Sequence, residues 1–214
     1  MGKPQLDYTL YLVTDRDLTA AGSIEDCVDA ACAGGVTLVQ LREKHAGAPE
    51  FEALARKVKA VTDAHGAGLV INDEPEIAAA VGAAGVHVGQ DDVPLARARE
   101  IVGEDAVVGV SVSTREEAVR AQEGGADYLG VGAMRPTATK PDARAVDDAE
   151  LRRILDAVHI PCVAIGGMNE QTIPLYAGFP LAGFAVVSAI VAAPDPRAAA
   201  ARLRRVIASP AAVR

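Results

Sequence analysis

Strand-like and helix-like runs alternate along this chain with a period of about 25 residues, a pattern that few architectures accept. Short runs rich in Val, Ile and Leu fall at 8–13, 36–41, 69–71, 86–88, 107–110, 128–131, 162–165 and 183–187. Each precedes a segment with helical signals: 23–33, 49–64, 74–81, 94–102, 114–123, 147–158, a helix capped by Asn169, and 195–207. Ser23 suits an N-cap, with Glu25 and Asp26 in the first turn behind it. Pro49 suits a first helical turn, and Phe51, Leu54, Val58 and Val61 recur on one helix face. Eight strands alternating with eight helices in 214 residues predict a single (β/α)8 TIM barrel, one catalytic domain over residues 1–214. An open doubly wound sheet is the alternative, and the GxGxxG expected after its first strand is absent.

Composition narrows what such a barrel can do. Aromatic residues make up 3% of the chain with no Trp, so the core must be aliphatic and no base-stacking platform is available. The formal net charge of −8 argues against a nucleic-acid partner, and any anionic ligand must be held by a local cationic pocket. Cys27, Cys32 and Cys162 form no CxxC pair and read as reduced thiols. Met1-Gly2-Lys3-Pro4 leads directly into a strand without a signal-peptide pattern. No apolar run approaches the roughly 20 residues of a membrane span. A cytoplasmic protein without a membrane partner is expected, and the sequence leaves room for a homo-oligomer.

In a barrel, ligands bind at the carboxyl ends of the strands, and the unusual polar residues of this chain track those ends. Gln40, Arg42, Glu43 and Lys44 follow strand two, where two cations and an amide suggest an anion site; a solvated loop is the other reading. Asn72 and Asp73 follow strand three, and Asp91 and Asp92 follow strand four. Asp73 and Asp92 lie on neighbouring strand ends, where two carboxylates suit Mg2+, or each Asp could cap the helix after it. With Arg42, Lys44 and Lys140 nearby, the pair describes a diphosphate clamp. Ser111 follows strand five, and residues 136–140 lie in a long loop after strand six. Gly166-Gly167 after strand seven and Val187-Ser188 after strand eight fit a phosphate site, or a tight turn that needs glycine. His87, inside an apolar strand, reads as a satisfied core or rim histidine. No Ser/His/Asp or Cys/His pairing supports a nucleophilic site.

Gln40-Leu41-Arg42-Glu43-Lys44, Ile71-Asn72-Asp73, His87-Val88-Gly89-Gln90-Asp91-Asp92, Gly109-Val110-Ser111, Pro136-Thr137-Ala138-Thr139-Lys140, Ile165-Gly166-Gly167 and Val187-Ser188-Ala189-Ile190 occur in this order. Together they resemble the signature segments of the thiamine phosphate synthase family. The resemblance implies a transferase that joins a hydroxymethylpyrimidine diphosphate to a thiazole phosphate, two small-molecule substrates, with Mg2+ as cofactor. By position, Gln40, Leu41, Arg42, Glu43, Lys44, Asn72, Ser111 and Lys140 would hold the pyrimidine diphosphate. Asp73 and Asp92 would be the Mg2+ ligands. Thr137, Ala138, Thr139, Gly167, Val187 and Ser188 would hold the thiazole phosphate. Arg42, Lys44 and Lys140 would stabilise the departing diphosphate, Gln40 would orient the pyrimidine, and Glu43 would be a structural partner.

The family's reaction is dissociative and needs no protein nucleophile, which suits a chain that shows none. Two segments depart from the family pattern: Ala133-Met134-Arg135, where Arg135 either contacts phosphate or faces solvent, and residues 176–183 before strand eight. The loop 132–145 is a lid candidate. A thiazole tautomerase and an isomerase of phosphorylated substrates share the barrel and phosphate site, but neither needs the metal and diphosphate set. A non-catalytic sensor of thiamine precursors would be free to lose that set.

Overall fold

The computed structural model describes residues 2–20, 22–135 and 145–209. Eight strands, all parallel, close on themselves in sequence order, with the last paired to the first. They are β1 (Leu10–Val13), β2 (Leu38–Leu41), β3 (Gly68–Asn72), β4 (Gly85–Val88), β5 (Val107–Val112), β6 (Tyr128–Val131), β7 (Cys162–Ile165) and β8 (Gly183–Val186). The helices around them are α1 (Ile24–Ala33), α2 (Ala48–His65), α3 (Pro75–Val81), α4 (Leu95–Val102), α5 (Arg115–Glu123), α6 (Asp148–Ala157), α7 (Ser188–Val191) and α8 (Pro196–Ala208). The predicted TIM barrel is the observed one.

Strand residues are buried on both faces, which explains why the strands read as continuous apolar runs. Alternation splits them into two cores. Tyr11, Val13, Leu38, Val70, Val107, Tyr128, Val163 and Ala185 fill the barrel. Leu10, Leu12, Val39, Leu41 and their counterparts pack outward against the helices. The predicted cap Ser23 accepts from Asp26 N at 3.1 Å, while Asp26 Oδ2 accepts from Ser23 N at 3.2 Å, a reciprocal capping box.

The wall after β7 differs from the expected helix. Asn169 does act as a cap, its Oδ1 accepting from Gln171 N at 2.9 Å and Thr172 N at 3.1 Å. The chain then makes only a 3-10 turn, Ile173–Tyr176. Pro174 lacks a donor, and Gly178 and Pro180 oppose helix propagation. A second difference is α7, four residues long, which starts at Ser188 where the sequence predicted only a strand end. Among the described residues, no helix is long and apolar enough to cross a membrane.

Candidate active site

The strand ends converge on a cavity of about 180 Å³ at the carboxyl mouth of the barrel. A cavity of roughly 150 Å³ holds a benzene ring, so one heteroaromatic ring fits within this one. Its wall includes Gln40, Arg42, Asn72, Ser111, Gly167, Val187 and Ser188, predicted from five different strand ends. Thr137, Ala138, Thr139 and Lys140 lie outside the described residues, as does most of the lid candidate.

The β2 end divides its residues by direction. Gln40 is buried, and its Nε2 donates to Tyr11 OH at 2.9 Å. The Leu41 side chain points the other way, fully buried in the outer core, so only its backbone remains for a ligand. Arg42 is held from β1: Thr14 Oγ1 accepts from Arg42 N at 2.9 Å, and Asp15 Oδ2 lies 3.4 Å from its guanidinium. Glu43 is occupied, taking Arg16 Nε at 2.6 Å and Lys44 N at 3.1 Å. That is a partner role inside the loop, as expected from the sequence. Lys44 is exposed beside it and does not wall the cavity.

Asp73 and Asp92 do converge. Asp73 adopts φ +62°, a left-handed conformation that costs a non-glycine residue energy and that aims its carboxylate back along the rim. Asn72 Nδ2 donates to Asp73 Oδ2 at 2.5 Å, and Gly89 N donates to Asp92 Oδ2 at 2.9 Å. Burial and the neighbouring Asp92 carboxylate push Asp73 up to about 6, against the opposing pull of Asn72 and Arg42. The capping alternative does not hold: Glu74 and Pro94 occupy the N-cap positions of α3 and α4, with no side-chain cap bond at either. Two hard oxygen donors pressed together favour a small divalent cation. Among the described residues no third His, Cys, Asp or Glu joins them, which leaves coordination positions for water and phosphate oxygens.

At β7, Gly166 and Gly167 take φ +98° and +65°. A Cβ on Gly166 would meet Ala133 Cα at 2.8 Å, so both the turn and the close approach require glycine. The tight turn that needs glycine is therefore present, and both glycines also wall the cavity. Arg135 is exposed, the solvent-facing alternative, with its guanidinium 5.8 Å over the Tyr176 ring. Burial pushes the Cys27 and Cys162 thiols up to about 11 and Cys32 to about 12, which keeps all three from serving as thiolates near neutral pH.

Tyr11, Thr14 and His87 in the cavity wall, with Asp15 and Tyr128 bonded behind it, escaped the sequence reading as site residues. Tyr11 OH lies 2.8 Å from Tyr128 OH, which lies 2.9 Å from His87 Nδ1, while His87 Nε2 lies 2.9 Å from Ser111 Oγ. His87 is thus satisfied, as predicted, but within a buried polar chain. Thr14 and Asp15 sit at a strand end like the others, and the same rim argument applied to strand one finds them.

A parallel barrel with cations, paired carboxylates and glycine turns gathered at its carboxyl end defines a TIM-barrel enzyme that handles anionic substrates. Residues 10–190 match the family model for thiamine monophosphate synthase. A thiamine-phosphate synthase of Clostridium beijerinckii is 48% identical over 202 residues, covering 94% of this chain and 97% of its own length. One from Ruminiclostridium cellulolyticum is 47% identical over 209 residues, covering 98% and 100%. A solved thiamine phosphate pyrophosphorylase from Pyrococcus furiosus superposes with a TM-score of 0.87 at 36% identity, over 94% of this chain and 96% of that one. The chain belongs to the thiamine monophosphate synthase family, and it is a transferase.

Proposed function

We propose that this enzyme condenses 4-amino-2-methyl-5-hydroxymethylpyrimidine diphosphate with 4-methyl-5-(2-phosphoethyl)thiazole, giving thiamine phosphate and diphosphate. The observation that carries the reading is the coincidence of a ring-sized cavity, a close Asp73–Asp92 pair and Arg42 on one rim, with the three cysteine thiols held protonated. In the proposed step the methylene C–O bond breaks first and the diphosphate leaves with the electron pair. The thiazole nitrogen lone pair then forms the new C–N bond. The carbon centre is attacked by the second substrate, so no side chain has to act as nucleophile.

Asp73 and Asp92 would hold Mg2+, which when bound would offset the negative charge gathering on the departing diphosphate. Arg42 supplies positive charge on the same rim, pinned by Thr14 and Asp15 so that it need not reorganise as the charge develops. Lys44 and Lys140 complete the clamp in this reading. The cavity wall of Gln40, Asn72 and Ser111 orients the pyrimidine, and Gly167, Val187 and Ser188 take the thiazole phosphate with residues 137–139. Holding both reacting atoms in one orientation lowers the barrier further. The three free cysteines accord with a cytoplasmic setting.

The direct test incubates the purified protein with both substrates, with and without Mg2+, and follows thiamine phosphate. Product that depends on Mg2+ is expected; its absence with every component present sinks the proposal. The Asp73 value of about 6 adds a signed prediction. Its native state holds a proton more tightly than the unfolded chain does, so ionisation above pH 6 costs stability unless a cation offsets it. Apparent Mg2+ affinity should therefore rise with pH through about 6 and level off above it, falling up to about tenfold per unit below. Calorimetric titration between about pH 5 and 8 reads this directly, and a flat affinity across that range contradicts the assignment.

A further inference from the structure

The polar chain through the barrel interior is built with room cleared for it. Tyr128 and Gly109 are paired across β6 and β5, and a Cβ on Gly109 would fall within 3.0 Å of the Tyr128 ring and hydroxyl. A Cβ on Gly130 would stand 3.1 Å from His87 Cε1. Two glycines thus admit the Tyr128 ring and an imidazole to a core that also holds Tyr11 among Val, Leu and Ala. The hydroxyls of Tyr11 and Tyr128 meet, and the chain runs Gln40–Tyr11–Tyr128–His87–Ser111, from β2 across to β5.

The Tyr11–Tyr128 and His87 distances fit either donor order; the order that gives each hydroxyl proton of the chain an acceptor within it begins at Gln40. Gln40 Nε2 donates to Tyr11 OH. Tyr11 then gives its single proton to Tyr128 OH, and Tyr128 gives its own to His87 Nδ1. With Nδ1 accepting, the imidazole proton sits on Nε2 and is donated to Ser111 Oγ. The two ends are thereby made unlike. Gln40 turns its carbonyl oxygen, an acceptor, to the cavity it lines, and Ser111 keeps its O–H as a donor.

We propose that Tyr11, Tyr128 and His87 are positioning residues whose one-way hydrogen-bond chain selects an aminopyrimidine over an oxopyrimidine. An exocyclic amine offers N–H to the Gln40 oxygen and a ring nitrogen accepts from Ser111. A 4-oxo ring instead sets a carbonyl oxygen against the Gln40 oxygen, leaving two acceptors face to face. The inference rests on the pyrimidine-diphosphate reading above and adds to it which residues set ring specificity.

The test compares kcat/KM for the 4-amino pyrimidine diphosphate and its 4-oxo counterpart in the wild type, Tyr11→Phe, Tyr128→Phe and His87→Gln. The wild type should favour the amino ring by about a hundredfold or more. Either Phe variant frees the Gln40 amide to turn over and should lose about tenfold of that preference. The loss should appear in KM for the pyrimidine, while KM for the thiazole phosphate and binding of inorganic diphosphate with Mg2+ stay unchanged. His87→Gln, whose amide can still donate to Ser111, should keep more of the preference than His87→Leu. The Phe variants keep the ring packing, and circular dichroism verifies their fold.

An unchanged preference in both Phe variants overturns the relay while leaving the synthase reading intact. So does a uniform weakening of pyrimidine, thiazole and diphosphate binding, which is what mere loosening of the barrel produces. A wild type that makes no thiamine phosphate overturns the synthase reading itself and the relay's role with it.

Discussion

Asp92→Asn should lower turnover with Mg2+ by about two to three orders of magnitude while leaving the fold intact. The asparagine keeps an oxygen for Gly89 N, so the β4 loop loses no hydrogen bond. What it removes is one of the two charges on the rim. The repulsion that helps hold Asp73 at about 6 goes with that charge, so Asp73 should fall toward the ordinary carboxylate range, with burial alone still raising it. Carbon-detected titration of the Asp73 carboxyl measures the second effect independently of the first. A variant with wild-type rates and an unmoved Asp73 would show that the two carboxylates neither share a cation nor sense each other.

Gly109→Ala should lower both stability and activity strongly. The added Cβ falls within 3.0 Å of Tyr128 Cζ, Cε1 and hydroxyl, and the ring is fully buried. Overpacking of this kind costs about 3 kcal/mol, a drop of roughly 10 °C in melting temperature for a domain of this size. Any protein that does fold must displace Tyr128 and so break the links to Tyr11 and His87. Combining Gly109→Ala with Tyr128→Ala should cost less than the sum of the two changes, by about 1–3 kcal/mol, because both act on one space. Strict additivity in thermal unfolding would mean that the ring does not occupy that space.

Legibility differed by residue for physical reasons. Asp73, Asp92, Arg42 and Asn72 could be found because a strand of a parallel barrel ends at the ligand face, so polar residues just past an apolar run announce themselves. Their neighbouring strand ends also announced that Asp73 and Asp92 could converge, but the left-handed backbone at Asp73 could not be read from spacing. Glu43 read correctly as a structural partner, but its partner Arg16 lies in the loop after β1, distant in sequence. The expected helix after β7 failed because Pro174, Gly178 and Pro180 outweighed the cap at Asn169. Tyr11 and Tyr128 looked like ordinary core residues, since nothing local to a strand shows that its hydroxyl will meet another one 117 positions away.

The sequence by itself determined the alternation, hence the barrel, and the rim on which chemistry must lie, because both follow from local periodicity and strand direction. Which side chains meet was decided only by closure. Pairing β8 to β1 brings Tyr11, Tyr128, His87 and Ser111 into one buried chain. Which hydroxyls and ring nitrogens become partners there is set by the whole ring of strands.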